Sequence, residues 1–123
     1  MANILLIDDD AMLREMLHAA LGNAGHRVTL AAEGNAGLAA LKTGAFDLVI
    51  TDLIMPGKEG IETIIELRHR APQLKIIAMS GGGQGRPTNY LAMAGKLGAR
   101  RTLAKPFSVP FLTATITEVL QEP

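Results

Sequence analysis

The sequence has no cysteine, no surplus of charge of either sign and no long apolar run. Without cysteine there is neither a disulfide framework nor a thiolate metal site. The 12 basic and 12 acidic residues cancel, and direct binding to nucleic acid needs an excess of basic charge. No segment approaches the roughly 18 apolar residues of a membrane span, and no signal peptide precedes the first apolar run. These absences predict a cytoplasmic protein that binds neither nucleic acid nor membrane.

What is present is a globular composition, with 48% hydrophobic and 20% charged residues in a chain of 123. A chain of this length is one ordinary domain, and it buries roughly two thirds of its unfolded surface when it folds. We therefore expect residues 1–123 to form a single domain.

Short β-branched and leucine-rich runs alternate along the chain with segments of helical apolar spacing. The runs predict strands at Asn3–Ile7, Arg27–Ala31, Asp47–Thr51, Lys75–Met79 and Arg101–Ala104. The first two helical segments run from Ala11 to a stop at Gly25 and from Gly34 to Lys42. The third has Ile61, Ile64, Ile65 and Arg68 on one face and ends before Pro72. The fourth is marked by Leu91, Ala94 and Leu97, and the last runs from Val109 to Leu120.

This regular alternation of strand and helix predicts an α/β fold with helices on both faces of a parallel sheet. Right-handed crossovers restrict the topology, and the simplest doubly wound solution has five strands in the order 2-1-3-4-5, as in flavodoxin-like folds. In that order the first and third strands are neighbours at the point where the winding reverses.

Four of the predicted strands deliver polar side chains at their carboxyl ends. Asp8–Asp10 follows the first strand, Asp52 the third, Ser80 the fourth and Lys105 the fifth. Parallel strands share one carboxyl edge, which is where such sheets bind ligands. The first two aspartates and Asp52 are therefore expected to converge.

Converging carboxylates repel one another, and a bound cation removes that cost. Oxygen ligands with no histidine or cysteine nearby favour a hard ion such as Mg²⁺, or Mn²⁺ in its place. Once the charge is neutralised, a carboxylate can attack phosphorus and form an aspartyl phosphate. The lysine and the serine hydroxyl would then stabilise the phosphoryl oxygens. The pattern thus predicts a site for a divalent cation and a phosphoryl group.

These residues resemble the response-regulator receiver domain of two-component signalling, and the resemblance covers the whole chain. It rests on Asp8-Asp9, on Asp52 with Met55-Pro56 and Gly60 behind it, on Ser80 and on Lys105-Pro106-Phe107. The spacings are also similar to that family, with 43 residues from Asp9 to Asp52, 28 more to Ser80 and 25 more to Lys105.

The resemblance implies a role for each of these residues. Asp52 would accept the phosphoryl group from a histidine kinase phosphohistidine or a phosphotransfer protein. Ser80 and Lys105 would bind that group and carry the switch, and the bond before Pro106 would be cis. The metal ligands would be Asp8, Asp9, Asp52 and the backbone carbonyl of Ile54.

The resemblance further implies a phosphorylation-activated switch whose only chemistry is its own phosphorylation and dephosphorylation. Phosphorylation would alter a surface made by the helix around Leu91–Leu97, the last strand and the last helix, and so control an unidentified downstream protein. The chain would be a monomer or a phosphorylation-driven dimer. Where that family usually carries an aromatic residue, three positions before the lysine, this chain has Thr102.

Two other functions match part of the pattern. The Asp-x-Asp motif at Asp8, with Ser80 and Lys105 later, is similar to the motifs of haloacid-dehalogenase-type phosphohydrolases. However, Met12 stands where those enzymes usually have Thr or Val, no acidic pair follows the lysine, and Asp52 would have no role. The second alternative is a degenerate receiver that acts only as an interaction module, although all the acids are present.

Overall fold

The computed structural model describes residues 2–53, 60–81 and 94–123. The strands are β1 (Asn3–Ile7), β2 (Arg27–Ala31), β3 (Leu48–Asp52), β4 (Lys75–Gly81) and β5 (Arg101–Lys105). The helices are α1 (Ala11–Asn23), α2 (Gly34–Thr43), α3 (Gly60–Arg70) and a C-terminal helix (Val109–Gln121). The predictions made for Ile54, for Met55-Pro56 and for Leu91 lie outside the described residues, and the helix marked by Leu91 is described only from Ala94 onward.

The five strands form one sheet in the order β2-β1-β3-β4-β5, and every neighbouring pair is parallel. The predicted α/β fold and strand order are therefore confirmed. Three strands end later than the sequence pattern indicated, because the parallel ladder continues past the apolar run. Asp52 lies opposite Met79, and Lys105 lies opposite Gly81, so both polar residues are the last of their strands.

Helices cover both faces of the sheet, because successive strand residues point to opposite sides. Alternate residues of β1, Ile4 and Leu6, pack with α1 and the C-terminal helix, whereas Leu5 and Ile7 pack with α2 and α3. Eleven apolar strand residues from Ile4 to Met79 have no exposed surface, and burying a large apolar side chain of this kind stabilises the fold by about 1.5–3 kcal/mol. The rigid sheet thereby fixes the positions of its carboxyl ends.

The face of α3 that packs on the sheet differs from the predicted one. Thr63, Ile64 and Leu67 are buried, whereas Ile65 is 49% exposed. The helix begins at Gly60, and the spacing of three and four residues from that start selects the buried face, so Ile65 lies about 100° away from it. Among the described residues, no helix is both long and apolar enough to cross a membrane.

Candidate functional site

Three carboxylates meet at the carboxyl edge of the sheet, where β1 and β3 lie side by side. One carboxylate oxygen from each of Asp8, Asp9 and Asp52 lies within 4.8 Å of the others. Asp8 is completely buried, Asp52 is 5% exposed, and Asp9 is exposed. The structure therefore brings together the acids that the sequence pattern expected to converge, with Asp9 on the solvent side and Asp8 at the base.

Asp8 is held through its backbone and through both carboxylate oxygens. Its backbone N–H donates to the carbonyl of Ala31 at 3.1 Å. Its Oδ1 accepts the backbone N–H of Asp10 at 2.9 Å, and its Oδ2 accepts Nζ of Lys105 at 2.8 Å. Its carbonyl oxygen accepts Nη1 of Arg14 at 2.8 Å. A buried carboxylate needs such partners, because burying an unpaired charge costs several kcal/mol.

Lys105 is the cation of the site, at the end of β5. Its Nζ donates to Oδ2 of Asp8 at 2.8 Å and to Oδ2 of Asp52 at 3.2 Å, and its side chain is 20% exposed. Burial alone would lower the pKa of Lys105, but the hydrogen bond to Asp8 and the charges of both aspartates outweigh it and hold that pKa above its ordinary value. The ammonium is therefore charged at neutral pH.

The donor set fits a hard divalent cation. The clustered ligands are carboxylate oxygens, and this cluster contains no histidine or cysteine. One ammonium cannot balance three carboxylates, so the pocket keeps a surplus of negative charge. A divalent cation relieves that surplus, so the site is compatible with Mg²⁺ or Mn²⁺.

Asp52 is fixed by the backbone that follows it. The hydroxyl of Thr51 donates to the carbonyl of Asp52 at 3.0 Å, and the backbone N–H of Leu53 donates to the carbonyl of Met79 at 2.9 Å. Gly60, the first residue of α3, donates its N–H to the carbonyl of Leu53 at 3.0 Å. A Cβ on Gly60 would overlap the carbonyl oxygen of Asp52 and Cα of Leu53, so only glycine fits there.

Ser80 and Thr102 occupy different environments on neighbouring strands. Ser80 is 3% exposed near the end of β4, one residue beyond Met79, which lies opposite Asp52 in the ladder. Thr102 is exposed on β5, opposite Ala78 and three residues before the strand ends.

The bond between Lys105 and the next residue, Pro106, is cis. The backbone carbonyl of Ile54, expected as a ligand, lies outside the residues that the structure describes.

Asp10 and Arg14 complete the edge from α1. Asp10 is the N-cap of α1, and its side chain accepts the backbone N–H of Leu13 at 3.2 Å. The sequence reasoning missed Arg14. Residues four apart share one side of a helix, so the spacing from Asp10 to Arg14 was an available signal that this arginine faces the edge of the sheet.

A surface cleft of about 860 Å³ lies at the opposite, amino-terminal end of the strands. It borders Ala2, Phe46, Asp47 and Lys75, and it includes none of the clustered carboxylates. Concavity alone would therefore place the functional site at the wrong end of the sheet. The chemistry of the side chains decides the matter, because the carboxylates and the lysine converge only at the carboxyl edge.

Comparison with known proteins identifies one family. Residues 4–117 match the family model described as the response regulator receiver domain. Among curated proteins, the chain is 38% identical over 120 residues to the transcriptional regulatory protein FixJ of Bradyrhizobium diazoefficiens, covering 98% of the chain and 57% of the relative. It is 34% identical to the DNA-binding transcriptional regulator NtrC of Azospirillum brasilense, covering 97% of the chain but 24% of the relative. The chain thus spans about half or less of these relatives.

Solved structures give the same result for the fold. A response regulator receiver domain protein from Clostridium thermocellum superposes with a TM-score of 0.89 at 28% identity, covering 98% of this chain and 94% of that one. The chemotaxis response regulator CheY4 of Vibrio cholerae superposes with a TM-score of 0.86 at 29% identity, covering 97% and 98% of the two chains.

Proposed function

Because this chain belongs to the response regulator receiver domain family, we propose that it is a phosphorylation-activated signalling switch in which Asp52 accepts the phosphoryl group. The observation that carries the proposal is the arrangement around Asp52. Its carboxylate lies within 4.8 Å of those of Asp8 and Asp9 and 3.2 Å from Nζ of Lys105. Acids that can hold a cation and a lysine that can bind an anion therefore flank one carboxylate.

Burial favours Asp52 over Asp8 as the nucleophile. Asp8 has no exposed surface. Asp52 keeps 5% of its surface exposed, and a phosphoryl donor must approach it through that surface. In the transfer, an oxygen of Asp52 forms a bond to phosphorus while the bond from phosphorus to the donor's imidazole nitrogen breaks, and the electron pair stays on that nitrogen.

We assign the cation, Mg²⁺ or Mn²⁺, to Asp8, Asp9 and Asp52, together with the backbone carbonyl of Ile54. When bound, the cation neutralises charge on the phosphoryl oxygens and on the carboxylates. Lys105 binds a phosphoryl oxygen with an ammonium that stays protonated at neutral pH, as its raised pKa requires. These residues orient the incoming group and stabilise its charge.

After transfer, Ser80 and Lys105 turn toward the new dianion, and this shifts an existing equilibrium between two surface states. A tenfold population change needs only about 1.4 kcal/mol of differential contact. Two charge-assisted hydrogen bonds supply that, at about 1.5–3 kcal/mol each. The responding surface comprises the helix that the sequence predicts from Leu91, Ala94 and Leu97, together with β5 and the C-terminal helix. Thr102 is exposed on that surface in place of the family's usual aromatic residue, so the rotation of an aromatic ring cannot couple the change at this position.

The partners follow from this function. The donor is a histidine kinase or a phosphotransfer protein, and the output is an unidentified downstream protein that reads the changed surface. We take residues 1–123 as one receiver domain in the cytoplasm, acting as a monomer or as a phosphorylation-driven dimer. Its chemistry is limited to gaining and losing its own phosphoryl group.

Acetyl phosphate labelling of three proteins, read on a phosphate-affinity gel, tests this function. The unmodified chain should be labelled in Mg²⁺ and not in EDTA, and Asp52→Asn should abolish the label. Asp8→Asn should weaken the label by reducing metal binding, and excess Mg²⁺ should restore part of it. If Asp52→Asn is labelled normally while Asp8→Asn is not labelled at any Mg²⁺ concentration, the phosphohydrolase assignment replaces ours.

A further inference from the structure

Arg14 makes a contact that the proposed function does not use. It lies in the first turns of α1, half-buried, and its Nη1 donates to the carbonyl oxygen of Asp8 at 2.8 Å. Its own backbone N–H donates to the carbonyl of Asp10 at 2.9 Å, so the residue is anchored at both ends. The guanidinium thus ties α1 to the last peptide before the exposed Asp9.

The peptide that Arg14 contacts carries both metal-side acids. The carbonyl of Asp8 and the amide of Asp9 belong to the same planar unit, so fixing that carbonyl fixes the direction in which the chain enters Asp9. Asp8 is additionally held by Lys105 and by the amide of Asp10. Asp9 is exposed, and its orientation depends on the backbone that carries it.

We propose that Arg14 is a positioning residue, which holds the Asp8–Asp9 peptide so that both carboxylates face the same cation. This inference rests on the proposed function, because it presumes that a divalent cation binds at this edge. Arg14 itself contacts a backbone oxygen, and it reaches the cation only through the orientation of the two acids. Such supporting contacts are commonly worth 10–100-fold in metal affinity.

The sign of the effect separates this role from a purely electrostatic one. A guanidinium near a divalent cation repels it, so if charge alone mattered, removing Arg14 would tighten Mg²⁺ binding. If the hydrogen bond positions the acids, removing it weakens Mg²⁺ binding despite the relieved repulsion. We expect Arg14→Met to weaken Mg²⁺ binding about tenfold, equivalent to about 1.4 kcal/mol.

Calorimetric titration of the intact chain with MgCl₂ measures this directly. Arg14→Lys, which keeps the charge and one donor group, should recover part of the lost affinity. Arg27→Met provides a matched control, because Arg27 is exposed on β2 away from the carboxylates, and it should bind Mg²⁺ like the unmodified chain. Equal or tighter binding by Arg14→Met would overturn the inference, and so would an equal loss of affinity in Arg27→Met.

Two further readouts exclude a general loss of structure. Urea unfolding without metal must show that each variant is folded under the conditions of the titration. If Arg14→Met does not fold, the Mg²⁺ affinity of Arg14→Lys is compared with that of the unmodified chain instead. Amide exchange at Asp10, whose N–H is bonded to Asp8, should accelerate in Arg14→Met while exchange in β3 stays unchanged. Unchanged exchange at Asp10 would argue against the proposal that Arg14 holds the Asp8–Asp9 peptide in place.

Labelling kinetics distinguish failure of this inference from failure of the proposed function. In Arg14→Met, the Mg²⁺ concentration for half-maximal labelling by acetyl phosphate should rise about tenfold, whereas the rate at saturating Mg²⁺ should stay within about twofold. If the unmodified chain binds Mg²⁺ and is labelled but Arg14→Met matches it, only the role of Arg14 is lost. If the unmodified chain binds no Mg²⁺, both proposals fail.

Discussion

Asp9→Asn should stabilise the metal-free protein, because it removes a carboxylate from a group of three. The clustered oxygens lie within 4.8 Å, so each like-charge pair costs at least about 0.9 kcal/mol even at the dielectric constant of water. Asp9 faces two such neighbours, and the ammonium of Lys105, which contacts both of them, offsets part of their repulsion. The net gain is about 1 kcal/mol at low salt, and about half of that at physiological ionic strength, where the Debye length is about 8 Å.

Addition of Mg²⁺ should reverse this order. A ligand that binds only the folded state stabilises it by about 2.7 kcal/mol at a free concentration one hundred times its Kd. The unmodified chain gains that amount, whereas Asp9→Asn gains little because it has lost a ligand. The two urea unfolding curves should therefore exchange places between EDTA and saturating MgCl₂.

Glu15→Gln is the matched control, because Glu15 is an exposed acid on α1 outside the cluster, and its removal changes the net charge equally. Its unfolding free energy should shift by no more than about 0.5 kcal/mol in either buffer. The reasoning is refuted if Asp9→Asn is less stable than the unmodified chain in EDTA at low salt, or if both proteins gain equally from Mg²⁺.

Three more outcomes follow from the contacts. Lys105→Met should destabilise the metal-free protein by about 2–4 kcal/mol, because buried Asp8 loses its cationic partner, and Mg²⁺ should restore part of this in urea unfolding. Gly60→Ala should cost at least about 2 kcal/mol and lower acetyl phosphate labelling, because the new methyl group meets the backbone that carries the acceptor aspartate. The hydrogen bond from Arg101 is the main reason that the pKa of Glu122 lies below its ordinary value of 4.5. The ion pair therefore stabilises the fold above pH 4.5, and this contribution is lost as pH falls through the lower folded-state pKa. In a plot of the unfolding midpoint against pH, Glu122→Gln should show a smaller drop on the acid side than the unmodified chain.

Much of this site was predictable from sequence because its parts depend on strand order. Once the alternation of strand and helix indicated a doubly wound sheet, Asp8 and Asp52 had to meet, since β1 and β3 are neighbours at the reversal of winding. Lys105 was expected at the same edge because it follows the last apolar run, and the parallel ladder extends β5 one residue beyond that run to include it.

Local packing was less predictable. Ile65 looks like a core residue by type, but it lies on the outward side of a helix that begins at Gly60, where the backbone packs against the end of β3. Arg14 was missed because its partner is a backbone carbonyl, which is the same in every residue, so that only the helical spacing from Asp10 pointed to it.

Reductive trapping of the phosphorylated chain tests the central claim most directly. Borohydride reduces an aspartyl phosphate to homoserine with loss of the phosphate. Peptide mass spectrometry then identifies the position of the homoserine. After acetyl phosphate treatment in Mg²⁺, we predict homoserine at position 52 alone, and none after treatment in EDTA. Homoserine at position 8 or 9, or a phosphorylated chain that gives no homoserine, would contradict the account.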